Sequence, residues 1–205
     1  MFDDRRGGAK RKRVNRANSF FAAMAILLAV PVLAVDEDDV RVEKEDRSYR
    51  IHAAFDVPAS IDQVKSVLTD FANPSRLTSA VTAREILGQQ DGAVRVRTEL
   101  RDCVLFFCKS LALIQDVTVS ADEVRADVVP GGSDFRHGFL RWSINGVGNG
   151  SSYVIFDAVM EPDFFVPPVI GGLLVRNAIR KQVLATMEKL VSEAPREPAT
   201  PEEKP

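Results

Sequence analysis

The chain has 205 residues, of which 45% are hydrophobic and 27% are charged, and its formal net charge at pH 7 is −2. Residues 1–34 hold seven of the 27 basic residues and two of the 29 acidic ones, so the remainder has a net charge of −7. An acidic domain is a poor nucleic-acid binder, because phosphate contacts need clustered cations. The charge balance therefore argues against nucleic acid as a partner.

The first 34 residues have the pattern of an export signal. Basic residues precede an apolar run from Phe20 to Leu33, and Val32-Leu33-Ala34 offers small residues at the positions that a signal peptidase reads. The run of 14 residues is shorter than the roughly 20 that a spanning helix needs. We expect cleavage after Ala34 and a periplasmic or otherwise exported protein. An inner-membrane anchor formed by residues 19–35 is the alternative.

One folded domain is expected between two polar segments. Residues 35–47 are densely charged and are interpreted as a solvated linker. Residues 195–205 are rich in Pro and Glu, a composition typical of disordered tails. This leaves residues 48–194, which is enough chain to bury a substantial core.

Hydrophobic periodicity predicts the elements of this domain in chain order. Tyr49–Val57 alternates as a half-buried strand does, and a helix follows with Ser60 as its N-cap. Asn73-Pro74 breaks this helix before a second short helix or turn. Six further alternating runs predict an antiparallel sheet with one buried and one solvent-exposed face. These runs are Val81–Leu87, Ala93–Arg101, Leu111–Val119, Val124–Val129, Phe139–Asn145 and Tyr153–Met160.

A long C-terminal helix is predicted from Pro167 to Ala194. Pro167-Pro168 is tolerated at a helix start, and Pro195 ends the helix. Apolar residues recur every three or four positions and form one stripe, which needs a long apolar partner. The stripe consists of Val175, Ile179, Val183, Met187 and Leu190.

This order of elements resembles the helix-grip fold of the START-like (SRPBCC) superfamily, which includes lipid-transfer, polyketide cyclase/dehydratase and coenzyme-Q-binding proteins. The segments Phe55–Val64 and Leu68–Pro74 are similar to the opening motif of that superfamily. The resemblance implies an α+β fold, in which a curved antiparallel sheet of about seven strands wraps around the C-terminal helix, with two short helices after the first strand. It also implies a cavity between sheet and helix for an apolar or amphipathic ligand.

Loop aromatic residues collect at one end of the predicted sheet. Successive turns of an antiparallel meander alternate between the two ends, so turns 103–108, 130–138 and 161–168 share an end. Exposed aromatic loops mark a ligand mouth, a partner site or a membrane contact, and the alternative is that they fold back and plug the core. The loops carry five of the twelve Phe residues: Phe106, Phe107, Phe135, Phe164 and Phe165.

Inward-facing residues complete the predicted ligand-binding set. Trp142 and Phe156 take the buried positions of their strands, so each either fills the core or lines a cavity. The N-terminal turns of the long helix lie at the aromatic end and are apolar nearly all round. The set therefore adds the helix residues Leu174, Val175, Ile179 and Val183 to Trp142, Phe156 and the five loop Phe residues.

Cys103 and Cys108 flank the first aromatic turn. Their side chains could face each other across the hairpin, and an exported compartment permits a disulfide. A pair of reduced buried thiols is the alternative. Neither a zinc site nor a C-x-x-C redox motif fits this pair, and no metal or cofactor is predicted.

Asp134, Arg136 and His137 are the polar candidates at the aromatic end. They could orient a ligand head group or perform acid–base chemistry, or they could form a surface turn in which Asp134 caps backbone N–H groups. The other strand charges fall on the solvent-exposed face. The sequence therefore favours a monomeric, non-catalytic carrier of a lipid, quinone or similar molecule with peripheral membrane contact. A cyclase/dehydratase-type enzyme that uses the same cavity is the alternative.

Overall fold

The computed structural model describes residues 39–104, 107–166 and 172–195, all within the compact unit 33–205. The predicted signal or anchor, the tail from residue 196 onward and Phe106 lie outside the described residues. In the part that is described, no helix is both long and apolar enough to cross a bilayer.

Eight strands form one antiparallel sheet in the described residues, in the order β1-β2-β8-β7-β6-β5-β4-β3. A short helix and a 3-10 turn connect β2 to β3, so that β2 pairs with β8 and β3 lies at the far edge. The sheet is curved, and a long C-terminal helix follows it, which confirms the predicted α+β helix-grip fold. The strands are β1 (Val40–Glu45), β2 (Ser48–Val57), β3 (Val81–Gln90), β4 (Ala93–Val104), β5 (Phe107–Val119), β6 (Glu123–Val128), β7 (Phe135–Gly148) and β8 (Ser151–Pro162). The helices are α1 (Ile61–Leu68) and α2 (Leu173–Glu193), and the 3-10 turn is Pro74–Arg76.

The charged segment that was interpreted as a linker contains a strand. β1 pairs with β2 from Val40 opposite Ala53 to Glu45 opposite Ser48, and it also contacts α2. Val40 and Val42 are buried, whereas the residues between and after them are exposed. The sheet therefore has eight strands instead of about seven. The interpretation as a linker was wrong because the dense charges of the exposed face obscured a two-residue alternation.

Of the two short helices predicted after the first strand, only the first is an α-helix. Ser60 caps α1 as predicted: its Oγ accepts from the N–H of Gln63 at 3.4 Å, and the Gln63 Oε1 accepts from the N–H of Ser60 at 2.9 Å. The second short helix is a single 3-10 turn. The long helix begins at Leu173 with Gly172 as its N-cap, and the predicted start at Pro167 lies outside the described residues.

Charged residues occupy the outer face of the sheet. The Asp157 carboxylate lies 2.7 Å from His52 Nδ1 and accepts a hydrogen bond from Arg141 Nη2 at 2.6 Å. The strand register extends this group into one row across five strands, with Arg41 beside His52 and Arg125 beside Arg141. The outer face is therefore the hydrated face, and the inner face carries the core.

Replacing Asp157 by Asn should destabilise the fold in a pH-dependent way. Partial burial raises the pKa of Asp157. The hydrogen bonds from His52 and Arg141 lower it by more, so the pKa of Asp157 lies below its ordinary value. A lowered carboxyl pKa stabilises the fold above the unfolded-state pKa, and this stabilisation is lost as pH falls through the folded-state value. We expect Asp157→Asn to reduce the free energy of unfolding by about 1 kcal/mol at neutral pH. Urea unfolding of both proteins should show this difference shrinking below about pH 4.

Asp56→Asn is the matched control, because Asp56 is exposed on β2 of the same sheet. It should leave the free energy of unfolding nearly unchanged. An equal loss in both variants would mean that the Asp157 contacts do not stabilise the sheet.

Candidate functional site

A cavity of about 770 Å³ lies between the inner face of the sheet, the N-terminal part of α2 and the chain from Leu68 to Val81. Its volume is within the range of roughly 300–1,000 Å³ that is typical of small-molecule sites. Most of its wall is apolar. The described wall includes Ile51, Val96, Leu113, Val124, Leu140, Trp142, Phe156, Ala158, Val175, Ala178, Ile179 and Val183.

The apolar stripe of α2 divides into two parts. Met187 and Leu190 are fully buried and pack in one core cluster with Val64 and Val67 of α1. Val175, Ile179 and Val183 are only half-buried and line the cavity. α1 has eight residues, and it contacts β7 and α2. It therefore fills the space beneath the C-terminal half of α2 and leaves the space beneath the N-terminal half open.

Aromatic side chains form part of the wall. The rings of Trp142 and Phe156 lie 4.2 Å apart between centroids, and both line the cavity. At the predicted mouth, Phe135 and Phe164 pack edge to face with centroids 6.3 Å apart. These two residues and Phe165 also line the cavity.

Phe165 is 81% exposed although it borders the cavity, and Leu173 at the start of α2 is 62% exposed. Large apolar side chains are therefore presented to solvent at this end. Two other residues of the predicted ligand-binding set are not placed in the described cavity wall. Leu174 is half-buried and does not belong to the described cavity wall, and Phe107 begins β5.

Cys103 and Cys108 are directly opposite each other in the pairing of β4 with β5. Opposite residues in an antiparallel pair have Cα atoms about 4.5–5.5 Å apart, a separation that a disulfide can bridge. The disulfide itself stays a prediction.

The three predicted polar candidates lie away from the cavity wall as described. The Asp134 carboxylate accepts from the N–H of Ala112 at 2.7 Å, and its own N–H donates to the Ala112 carbonyl at 2.8 Å. Arg136 forms an ion pair with Asp163 at 2.5 Å, and His137 is exposed opposite Glu161 in the sheet. These contacts correspond to the surface-turn alternative, because Asp134 ties the β6–β7 loop to β5.

Polar groups enter the cavity from a different place. Arg84, Thr98 and Gln115 all line it, and Thr98 and Gln115 are only 4% and 9% exposed. Arg84 Nε donates to Thr98 Oγ1 at 3.3 Å, and the guanidinium carbon lies 6.0 Å from the centroid of the Phe71 ring. Burial lowers the pKa of Arg84, and the charge of Asp70 partly offsets this effect on the pKa. The expectation that strand charges face solvent is therefore wrong for Arg84.

The sequence pattern indicated two of these three residues. Thr98 interrupts the apolar positions of β4, and Gln115 does the same in β5. Arg84 gave no such signal, because a register shift between Val81 and Ala83 reverses which residues of β3 face inward. The described residues contain no group of three or more His, Cys, Asp or Glu that could hold a metal ion.

A curved antiparallel sheet, a C-terminal helix on its inner face and an apolar cavity between them define a helix-grip protein of the START-like superfamily. A family model described as "Polyketide cyclase / dehydrase and lipid transport" matches residues 48–195, and the chain belongs to this family. The resemblance noted in the sequence is thereby confirmed.

Solved structures share this fold at low sequence identity. The Zhui aromatase/cyclase from Streptomyces sp. R1128 is 14% identical with a TM-score of 0.59, and the match covers 73% of this chain and 94% of that one. A STAR-related lipid transfer protein from Xanthomonas axonopodis is 15% identical with a TM-score of 0.57, over 78% and 100% of the two chains. Human STARD10 is 11% identical with a TM-score of 0.54, over 78% and 74%. Comparison with curated proteins finds no match.

The two parts of the α2 stripe should respond differently to truncation. Leu190→Ala removes a fully buried side chain from the close-packed core, so it should lower the free energy of unfolding by about 2–5 kcal/mol. Ile179→Ala shortens a half-buried side chain that already faces open space, so it should cost about 1 kcal/mol. Equilibrium urea unfolding measures both values. Equal losses would show that the space beside Ile179 is as closely packed as the core.

Proposed function

We propose that this protein binds and carries a hydrophobic or lipid-like small molecule in the cavity between the sheet and α2. The observation that supports this most directly is an apolar cavity of about 770 Å³ inside a domain of this family. Burying apolar surface contributes about 25 cal/mol per Å², so a ligand that loses about 300 Å² of apolar surface gains roughly 7 kcal/mol before the cost of association. That gain favours transfer of a lipid-like molecule from water into the cavity.

The exposed apolar end supports a role as the mouth of the carrier. Phe165 and Leu173 are exposed beside the cavity, where they can contact a membrane as the ligand is exchanged. Inserting one such side chain contributes only about 1.5–3 kcal/mol, which favours brief and reversible contact.

Export is part of this proposal. It rests on the basic and apolar pattern of residues 1–34 and on the cysteine pair. A disulfide between Cys103 and Cys108 would hold the β4–β5 hairpin in one shape at the mouth, and it would persist in an oxidising compartment. The protein would then act as a monomer outside the cytoplasm.

The placement of polar residues supports binding more than catalysis. Asp134 is engaged by the backbone of Ala112 and Arg136 by Asp163, so the acid–base candidates of the aromatic end are held at the surface. The wall consists mainly of apolar and aromatic side chains, which are suited to desolvating a ligand.

Ligand binding should be visible through Trp142, the single Trp of the chain, which lines the cavity. Lipids that co-purify with the full chain are identified by mass spectrometry, stripped and titrated back while Trp142 emission is recorded. Ala178→Phe places a bulky ring in the cavity wall and should weaken binding at least tenfold, about 1.4 kcal/mol. Ala185→Phe puts the same ring on the exposed face of α2 and should bind like the unchanged protein.

Two results would count against the carrier. If neither lipids nor quinones bind the stripped protein, or if both Phe variants bind equally well, the cavity is not the binding site. Turnover of a bound polyketide or quinone precursor would favour the cyclase/dehydratase-type enzyme instead.

Membrane contact should depend on the exposed mouth residues. Phe165→Ser should reduce the fraction of protein that floats with liposomes several-fold, since it removes an apolar side chain worth about 1.5–3 kcal/mol at the interface. Val147→Ser is the control, because Val147 is 58% exposed near the C-terminal end of β7, at the opposite end of the sheet. Equal flotation of Phe165→Ser and the unchanged protein would exclude this mouth as the membrane contact.

A further inference from the structure

We infer that Arg84, Thr98 and Gln115 form a polar subsite inside the cavity that binds the carboxylate of an amphipathic ligand, such as a long-chain fatty acid. This inference rests on the proposed function, because it gives an orientation and a chemical class to the ligand that the cavity would hold.

The sheet register brings the three residues to one inner face. Arg84 on the edge strand β3 is directly opposite Thr98 on β4. Thr98 is opposite Leu113 on β5, and Gln115 lies two residues further along the same strand. Since residues two apart on a strand share a face, the three side chains form a short polar row on a mostly apolar wall.

The row has a charge and hydrogen-bond donors without fixed acceptors. Arg84 uses one of its five N–H groups on Thr98 Oγ1. Asp70, the carboxylate whose charge acts on Arg84, is already paired with Arg76 at 2.9 Å. Gln115 is nine-tenths buried, and its Nε2 has no hydrogen-bond partner among the described residues. Buried donors without acceptors are costly, so a resident acceptor in the cavity would relieve this cost.

All three side chains can donate toward the cavity. Arg84 has guanidinium N–H groups beyond the one that donates to Thr98, the hydroxyl of Thr98 keeps its hydrogen while its oxygen accepts from Arg84, and Gln115 offers an amide N–H. One positive charge with several donors matches a singly charged planar carboxylate, which arginine binds with two parallel hydrogen bonds. A phosphate monoester shares this acceptor chemistry but carries nearly two negative charges at neutral pH. The single cation therefore favours the carboxylate, with the hydrocarbon chain along the apolar wall.

The test compares ligands that differ only at the head group. The full chain is titrated with palmitic acid, its methyl ester and the alkyl phosphate of equal chain length, below their micelle concentrations and well above the carboxyl pKa. We expect the acid to bind at least about tenfold more tightly than the ester, and more tightly than the phosphate. Arg84→Gln should abolish the preference by weakening the acid alone, and Arg84→Lys should keep part of it.

Two further variants make the result specific. Arg97→Gln removes an arginine from the outer face of β4, where Arg97 lies 3.6 Å from Glu99, and it should leave the preference intact. If thermal denaturation shows that Arg84→Gln does not fold, Gln115→Leu serves instead. That variant should reduce the preference about threefold by removing one hydrogen bond.

The outcomes separate this inference from the proposed function. Equal binding of acid and ester to the unchanged protein, a preference that survives in Arg84→Gln, an undiminished preference in Gln115→Leu, or tighter binding of the alkyl phosphate would overturn the carboxylate subsite while the carrier stands. If none of the three ligands binds, the carboxylate subsite is wrong, and the titration with co-purifying lipids and quinones decides the carrier separately.

Discussion

The helices cover only part of the inner face of the sheet. This incomplete cover divides the domain into a close-packed part and a cavity. The C-terminal half of α2 and the eight residues of α1 close one part of that face with fully buried side chains such as Val64 and Leu190. The N-terminal half of α2 spans the remainder without a second helix beneath it, which leaves about 770 Å³ open. Close packing stabilises one half of the domain, and the other half contains the cavity.

Polar groups on the cavity wall do not stabilise the fold in the way that the close-packed core does. Arg84 is partly withdrawn from water and Gln115 is nine-tenths buried, and neither placement stabilises an empty cavity. By contrast, several arginines and carboxylates of the outer face form partly exposed ion pairs, such as Arg95 with Asp116 at 2.7 Å. Among polar groups, ion pairs that stabilise the fold thus lie on the outer face, and the groups proposed to bind a ligand lie in the cavity. Natural proteins accept such a loss of stability where a binding site needs it.

Membership of the family defines the architecture without defining the ligand. The solved structures of similar fold include an aromatase/cyclase, a STAR-related lipid transfer protein and human STARD10, at identities of 11–15%. Different chemistries are built on one fold through the residues that line its site. For this chain, we propose that the ligand is selected by the polar row on β3, β4 and β5 and by the exposed aromatic end near Phe165. The family model supports an apolar ligand. The polar row is the basis for proposing that this ligand has a carboxylate head group.

The sequence by itself determined most of the secondary structure, because alternation, the Ser60 cap and the apolar stripe of α2 are local patterns. It also placed the aromatic turns at one end, since a meander alternates its turns. Only the tertiary structure decided the rest. β1 depended on its partner strand, the inward position of Arg84 depended on a register shift in β3, and the division of the α2 stripe depended on where α1 packs. Each of these is set by contacts between residues distant in sequence, which a local pattern does not encode.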